Sequence, residues 1–305
     1  MLRYTVSRLA SAVPTLLLVL LMAFTLVHAA PGGPFDTERA LPAETEARLN
    51  AAYGLDQPFW VQFGRYLGGL VRGDFGPSFR YPQSTVGELI ADAFPVSAAL
   101  GLAALLVGGG VGIVVGVIAA LRQNRLTDHI LMTVSMTGIS IPAFVIAPLL
   151  VLLFAVTLRW LPASGLHTPA HFILPVFALS LPMLAYVARL MRASLVETLK
   201  SQFIRTARAQ GLSSQTIVFR YAMKPALIPV VSYLGPAIAG LLTGSVVIEQ
   251  IFNIPGIGRL FIQAALNRDY TLVMGLVVLY STLLIVMNLI VDVLYGVLDP
   301  RVRYR

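Results

Sequence analysis

Six apolar stretches, each close to the length that crosses a bilayer, leave this chain few ways to fold. They run over residues 9–29, 95–120, 130–158, 172–198, 225–248 and 273–298, and a spanning helix needs about 20 apolar residues. Lipid offers the backbone no hydrogen bonds, so only helices or closed barrels cross it. Barrel strands would be shorter and would alternate in polarity. The reading is therefore an all-α integral membrane protein with six transmembrane helices, forming one transmembrane domain over residues 1–305. Charged residues make up 12% of the chain, against about a quarter in a soluble domain.

The formal charge of +8 points to nucleic acid only until the charges are placed along the chain. Of the 22 Lys and Arg residues, 14 gather on the segments a cytoplasmic assignment would expose: Arg3 and Arg8, Arg122 and Arg125, seven within 189–224, and Arg301, Arg303 and Arg305. Asp36, Glu38, Glu44, Glu46 and Asp74 fall on the other side. The positive-inside rule then places both termini in the cytoplasm. The charge reports topology and gives no support for a nucleic-acid partner. Arg3, Arg8 and Ala29–Ala30 also fit a cleaved signal peptide, but the first apolar run exceeds a usual signal core and contains Pro14. It is read as a retained span. With no cysteine in the chain, disulfides and thiolate metal sites are excluded.

Residues 31–94 form the one sizeable external segment, punctuated by Pro31-Gly32-Gly33-Pro34, Pro58, Gly73-Asp74, Gly76-Pro77 and Pro82. Helical apolar spacing recurs over 42–53 and 59–71, the latter carrying Trp60, Phe63, Tyr66, Leu67 and Leu70. Both a cap lying at headgroup depth and a mouth that receives something from outside fit these residues. In the second stretch Gly108, Gly112 and Gly116 recur every fourth position. Such a ridge lets helix backbones approach closely where lipid supplies no hydrophobic drive, and packing within the chain is favoured over a subunit seam. Pro142, Pro148, Pro175, Pro182, Pro229 and Pro236 lie in or near spans, where freed carbonyls need protein or water partners.

Residues 189–224 interrupt the apolar sequence with seven bases and one acid. At about 100° per residue, Phe203, Ile204, Ala207 and Gly211 share one arc, and Arg205 and Arg208 lie beside it. Basic residues collect on cytoplasmic loops in any case. The small residues and the internal glycine point further, to a close-packed contact with a soluble partner. Pro225 is expected to open the following span. After that span, Glu249 is followed by the turn Pro255-Gly256-Ile257-Gly258, and these residues are read as an external gate region. A lone glutamate at a membrane boundary is as readily solvated. Asn288 and Asp292 share a face of the last stretch, with Asp292 placed at the cytoplasmic interface in preference to a proton relay.

Several chemistries are missing. A phosphate-binding loop needs Gly-Lys-Ser/Thr. Lys200 does precede Ser201, but Leu199 occupies the glycine position, and Lys224 is followed by Pro225. No ATP-hydrolysing motif is recognisable. His167 and His171 are the only histidines at helical ligand spacing, in a loop with Pro169, and an incidental surface pair is favoured over a metal site. His28 and His129 lie near span ends, which gives a serine-based intramembrane protease little support. An ion-driven secondary transporter would favour acids at mid-membrane and an inverted repeat, and it would leave 189–224 unexplained.

These motifs together carry a resemblance. Tyr186 to Arg189, Phe203 to Leu212 and Ala226 to Val230 resemble the cytoplasmic loop of binding-protein-dependent ABC importer permeases, of the dipeptide/oligopeptide/nickel branch. Arg8 to Thr15, Ala30 to Gly32, Leu41-Pro42, Gly73 to Ser78, Val247 to Glu249 with Pro255 to Gly258, Asn267 to Tyr270 and Val291 to Tyr295 extend it along the whole chain, ending in Leu298-Asp299-Pro300-Arg301. The family pattern has Glu-Ala-Ala, three residues, then Gly. Here Ala207 and Gly211 match, while Arg205 and Thr206 replace the leading pair.

The resemblance implies a type I importer fold in a bacterial cytoplasmic (inner) membrane. This chain would pair with a homologous second permease, two cytoplasmic ATPase subunits and an external peptide-binding protein. Phe203, Ile204, Arg205, Thr206, Ala207, Arg208, Ala209, Gly211 and Leu212 would form the coupling contact. ATP and Mg would be bound by the ATPase partners, with no cofactor on this chain. Oligopeptides are the implied substrate, and dipeptides, nickel or another small solute the alternative.

Overall fold

The computed structural model describes residues 2–30, 53–242 and 246–298, together with 44, 48, 50 and 51. Every extended element among them is a helix; strand-like pairing is limited to one antiparallel bridge, Pro77 with Thr85. The helix expected over 42–53 lies largely outside the described residues. Pro31-Gly32, Leu41-Pro42 and 299–305 lie outside them entirely, as do the side chains of Arg3, Arg8 and Asp292.

Helix α1 (Leu2–Ala29) precedes the segment expected to be external. There the expected amphipathic helix forms as α2 (Phe59–Val71). Its Phe59 and Phe63 rings meet Phe24 near the end of α1 at 5.1 and 5.2 Å, and Leu20, Phe24 and Met274 make a small core beneath it.

The second span begins earlier than expected. Helix α3 (Val86–Leu121) starts behind a capping box in which Glu88 N–H donates to Thr85 Oγ1 at 3.2 Å and Thr85 N–H donates to Glu88 Oε2 at 2.8 Å. Pro95 therefore lies inside the helix and does not mark its start. With 36 residues, α3 is about 54 Å long and outruns the hydrocarbon core.

The third stretch is not one straight span. Helix α4 (Leu126–Ser140) and helix α5 (Ala143–Leu150), which continues through a π-helical turn to Thr157, meet at a 100° bend. The break falls at Ile141-Pro142. Proline forces its predecessor into extended backbone, and Ile141 has φ −102° and ψ 119°. The described residues thus hold five helices long and apolar enough to cross a membrane, and six spans when the bent pair is one.

Helix α6 (Ile173–Leu199) is the centre of the bundle. Along it the ridge of α3 docks: a Cβ on Gly108 would lie 2.7 Å from the Ser180 carbonyl oxygen, on Gly112 2.9 Å from that of Leu184, and on Gly116 2.6 Å from that of Ala188. The ridge is used inside the chain. The short helix α7 (Gln202–Ala209) follows. Residues Ser214–Thr216 then start the next helix and pass through a π-helical turn, Ile217–Ala222, into α8 (Met223–Leu242). Pro225 consequently lies within a helix that has already begun, and does not open it. The chain closes with α9 (Val246–Ile251), α10 (Ile257–Leu266) and α11 (Tyr270–Leu298).

Candidate functional site

Two of the regions singled out in the sequence lie toward opposite ends of α3. At its N-terminal end, Glu249 in α9 is fully buried, so the solvated alternative is overturned. Ser97 of α3 donates its hydroxyl to Glu249 Oε1 at 2.7 Å. The other carboxylate oxygen accepts the backbone N–H of Arg259 at 3.0 Å, and Ile257 N–H donates to Ser97 Oγ at 2.8 Å. A buried carboxylate is costly unless its lone pairs are filled by donors, and here one donor comes from α3 and one from the first turn of α10. Gly256 leaves room for this: a Cβ there would lie 2.5 Å from the carboxyl carbon of Glu249, and one on Gly258 2.8 Å from Val246 Cα. Pro255 stands exposed at the outer edge of the same turn. The residues read as a gate region are thus one hydrogen-bonded block clamped to α3.

Beside it, two motifs far apart in sequence meet. Asp269 accepts from Ser78 Oγ, from the backbone N–H of Phe79 at 3.2 Å and of Arg80 at 3.3 Å, and from Leu272 N–H at 3.2 Å. Thr271 Oγ1 donates to the Pro77 carbonyl at 2.7 Å. One carboxylate therefore caps α11 and fastens the loop that leads into α3. Ser78 and Asp269 are both buried.

At the other end of α3, α7 is seated in the protein core. Ile204 and Ala207 are buried in a cluster with Val117, Met191, Leu195, Ile217, Ala222 and Ala226, and Leu212 packs against that cluster. Half of the expected partner-facing stripe is therefore covered by this chain itself. What α7 leaves exposed is Gln202, Phe203, Arg205, Thr206, Arg208 and Ala209. Gly211 follows the C-cap Gln210 with φ +79°, and a Cβ there would meet nothing within 4 Å. Its role is conformational: Gly211 N–H donates to Arg208 O at 3.0 Å, and the left-handed residue ends the helix. Close packing by this chain is not what requires it.

One pair at this end escaped the sequence reading. Asp128, buried in the first turn of α4, accepts from Arg192 Nε and Nη2, each at 2.6 Å, and from Asn124 N–H at 2.9 Å. The available signal was a single acid among Arg122, Arg125 and His129. His171, by contrast, serves locally, its Nδ1 accepting the Thr168 N–H at 3.1 Å.

The described residues form an α-helical bundle of membrane-spanning length, with a buried hydrogen-bonded clamp toward one end of α3 and a core-seated basic helix toward the other. Residues 112–304 match the family described as binding-protein-dependent transport system inner membrane component, and residues 1–101 match its N-terminal companion model. The chain belongs to that family. It is 52% identical over its whole length, and that of the relative, to the oligopeptide transport system permease protein OppB of Salmonella typhimurium, and 50% identical to that of Escherichia coli over the same full coverage. It is 43% identical to the dipeptide transport system permease protein DppB of Bacillus subtilis, over 99% of this chain and 98% of the relative. The crystal structure of an amino acid ABC transporter matches 68% of this chain and 93% of its own with a TM-score of 0.51 at 17% identity, a likeness of fold.

Proposed function

We propose that this chain is one half of the translocation path of an ATP-driven oligopeptide importer in a bacterial inner membrane, with both termini in the cytoplasm. The observation that carries this reading is full-length identity of 50–52% to oligopeptide permeases, above the 43% to the dipeptide relative. The partners would be a homologous second permease, two cytoplasmic ATPase subunits that hold ATP and Mg, and an external peptide-binding protein.

The seating of α7 suggests how work enters this subunit. Its exposed face, with Phe203, Arg205 and Arg208, would dock on an ATPase. Its buried face joins Val117 of α3, Met191 of α6 and Ala226 of α8 in one cluster. A load on α7 is therefore delivered to three spans together. Closure of the ATPase pair would draw the coupling helices together and rock the spans from inward- to outward-facing. The driving free energy comes from contacts that differ between the two states. At the far end, α3 carries the Glu249-held turn with it. Released peptide would enter between the two permeases, and ATP hydrolysis would reset them.

A mild-detergent pull-down from the native membrane tests this. The expected result is recovery of a second six-span permease, two ATPases and a peptide-binding protein. Recovery of the chain alone, as a homo-oligomer, would overturn the reading.

A further inference from the structure

The turn held by Glu249 forms one side of a cavity of about 480 Å³, within the range of about 300–1,000 Å³ typical of ligand pockets. Two helix faces line it. Leu89, Asp92 and Val96 come from α3, and Arg259, Leu260 and Gln263 from α10. Asp92 and Arg259 share one cavity yet do not pair, since the ion pairs among the described residues are Arg48–Glu44 and Arg192–Asp128. The guanidinium is only partly used. Nη1 donates to Asn253 Oδ1, while Nε is buried with no hydrogen-bond partner. Opposite charges kept apart in one cavity suit a ligand that carries both.

We propose that this cavity holds the charged ends of the peptide in transit, Arg259 taking the carboxylate, Asp92 the ammonium group, and Gln263 a main-chain amide. The inference rests on the functional reading above and assigns that substrate a site in this subunit. Leu89, Val96 and Leu260 give side chains an apolar wall without a shape that selects among them. A cation alone would find one carboxylate, and an anionic headgroup would meet Asp92. A zwitterion uses both charges.

The chain has no cysteine, so Leu260→Cys puts one thiol in the cavity wall. Its labelling by a small maleimide is followed on this chain, in the assembled importer with its binding protein, with trialanine or with acetylated, amidated trialanine. Free trialanine at about nine times its half-protecting concentration is expected to slow labelling about tenfold. The blocked peptide is expected to have little effect, and protection is expected to vanish in Asp92→Asn and in Arg259→Gln. Equal rates with and without peptide, in a preparation that still imports trialanine on ATP, would overturn the site alone. So would a thiol that is closed to reagent before peptide is added, because the second permease would then cover the cavity. A preparation with no ATP-driven uptake would remove the functional reading, and this inference with it.

Discussion

Ser97 and Glu249, on helices α3 and α9, are joined by a 2.7 Å hydrogen bond between side chains that are both fully buried. Ser97 relays the link onward by accepting from Ile257 N–H, so a single hydroxyl ties a long span to a tight turn. Glu249→Ala would leave Ser97 Oγ and Arg259 N–H without acceptors, each worth about 1–3 kcal/mol when buried and unmet. Thermal unfolding in detergent should shift down accordingly, and Gly256→Ala should do the same by overpacking. Glu249→Gln keeps the shape but turns an NH₂ toward a donor, and should fall between wild type and Glu249→Ala. An unchanged unfolding midpoint in Glu249→Ala would contradict the clamp.

The Asp128–Arg192 fork makes a second prediction. The Arg192 side chain is 27% exposed while Asp128 is buried, so solvent screening reduces the pair below a fully buried one. A double-mutant cycle with Asp128→Asn and Arg192→Lys should return a coupling of about 1–2 kcal/mol. Lysine keeps the charge but cannot reproduce two parallel bonds. Coupling near zero would mean that the two residues are adjacent without acting together.

Gly211 separates two accounts of the basic helix. Its φ of +79° costs an ordinary L-residue about 1–2 kcal/mol, and asparagine tolerates that region better than alanine or valine. Uptake should therefore rank Gly211→Asn above Gly211→Ala and Gly211→Val, with membrane insertion intact in all three. If a partner instead packs against the missing side chain, alanine, the smallest, should perform best.

The ridge of α3 can be tested against its own neighbour. A Cβ on Gly112 would come within 2.9 Å of both the Leu184 carbonyl oxygen and Val187 Cβ, whereas one on Gly110 meets nothing within 4 Å. Gly112→Ala should destabilise by about 1–3 kcal/mol through overpacking. Gly110→Ala should be neutral or gain up to about 1 kcal/mol from helix propensity. Equal unfolding midpoints would show that α3 and α6 do not meet along this line.

Hydropathy made the spans legible because burial in lipid demands long apolar runs whatever the tertiary arrangement. The break at Ile141-Pro142 was hidden for the same reason: apolarity does not fall there, and prolines elsewhere in this chain sit inside continuous helices, as Pro182 does in α6. Periodicity located the stripe through Ile204 and Ala207, but it cannot say which surface covers a stripe, and this chain's own core does. The glycine ridge faces α6 of the same chain, but its spacing fits any close helix contact and does not name the partner. Ser97 carried no signal, since a serine in an apolar helix is common and its partner lies 152 positions away. The motifs around Ser78 and Asp269 were visible separately, and only the fold joins them.

The most direct measurement is peptide uptake into proteoliposomes holding this chain, the second permease and both ATPases, with the binding protein added outside. The account predicts accumulation of a labelled oligopeptide that requires ATP and Mg on the ATPase side, requires the binding protein, and disappears when this chain is left out. Accumulation by this chain alone, driven by an ion gradient and indifferent to ATP, would contradict it.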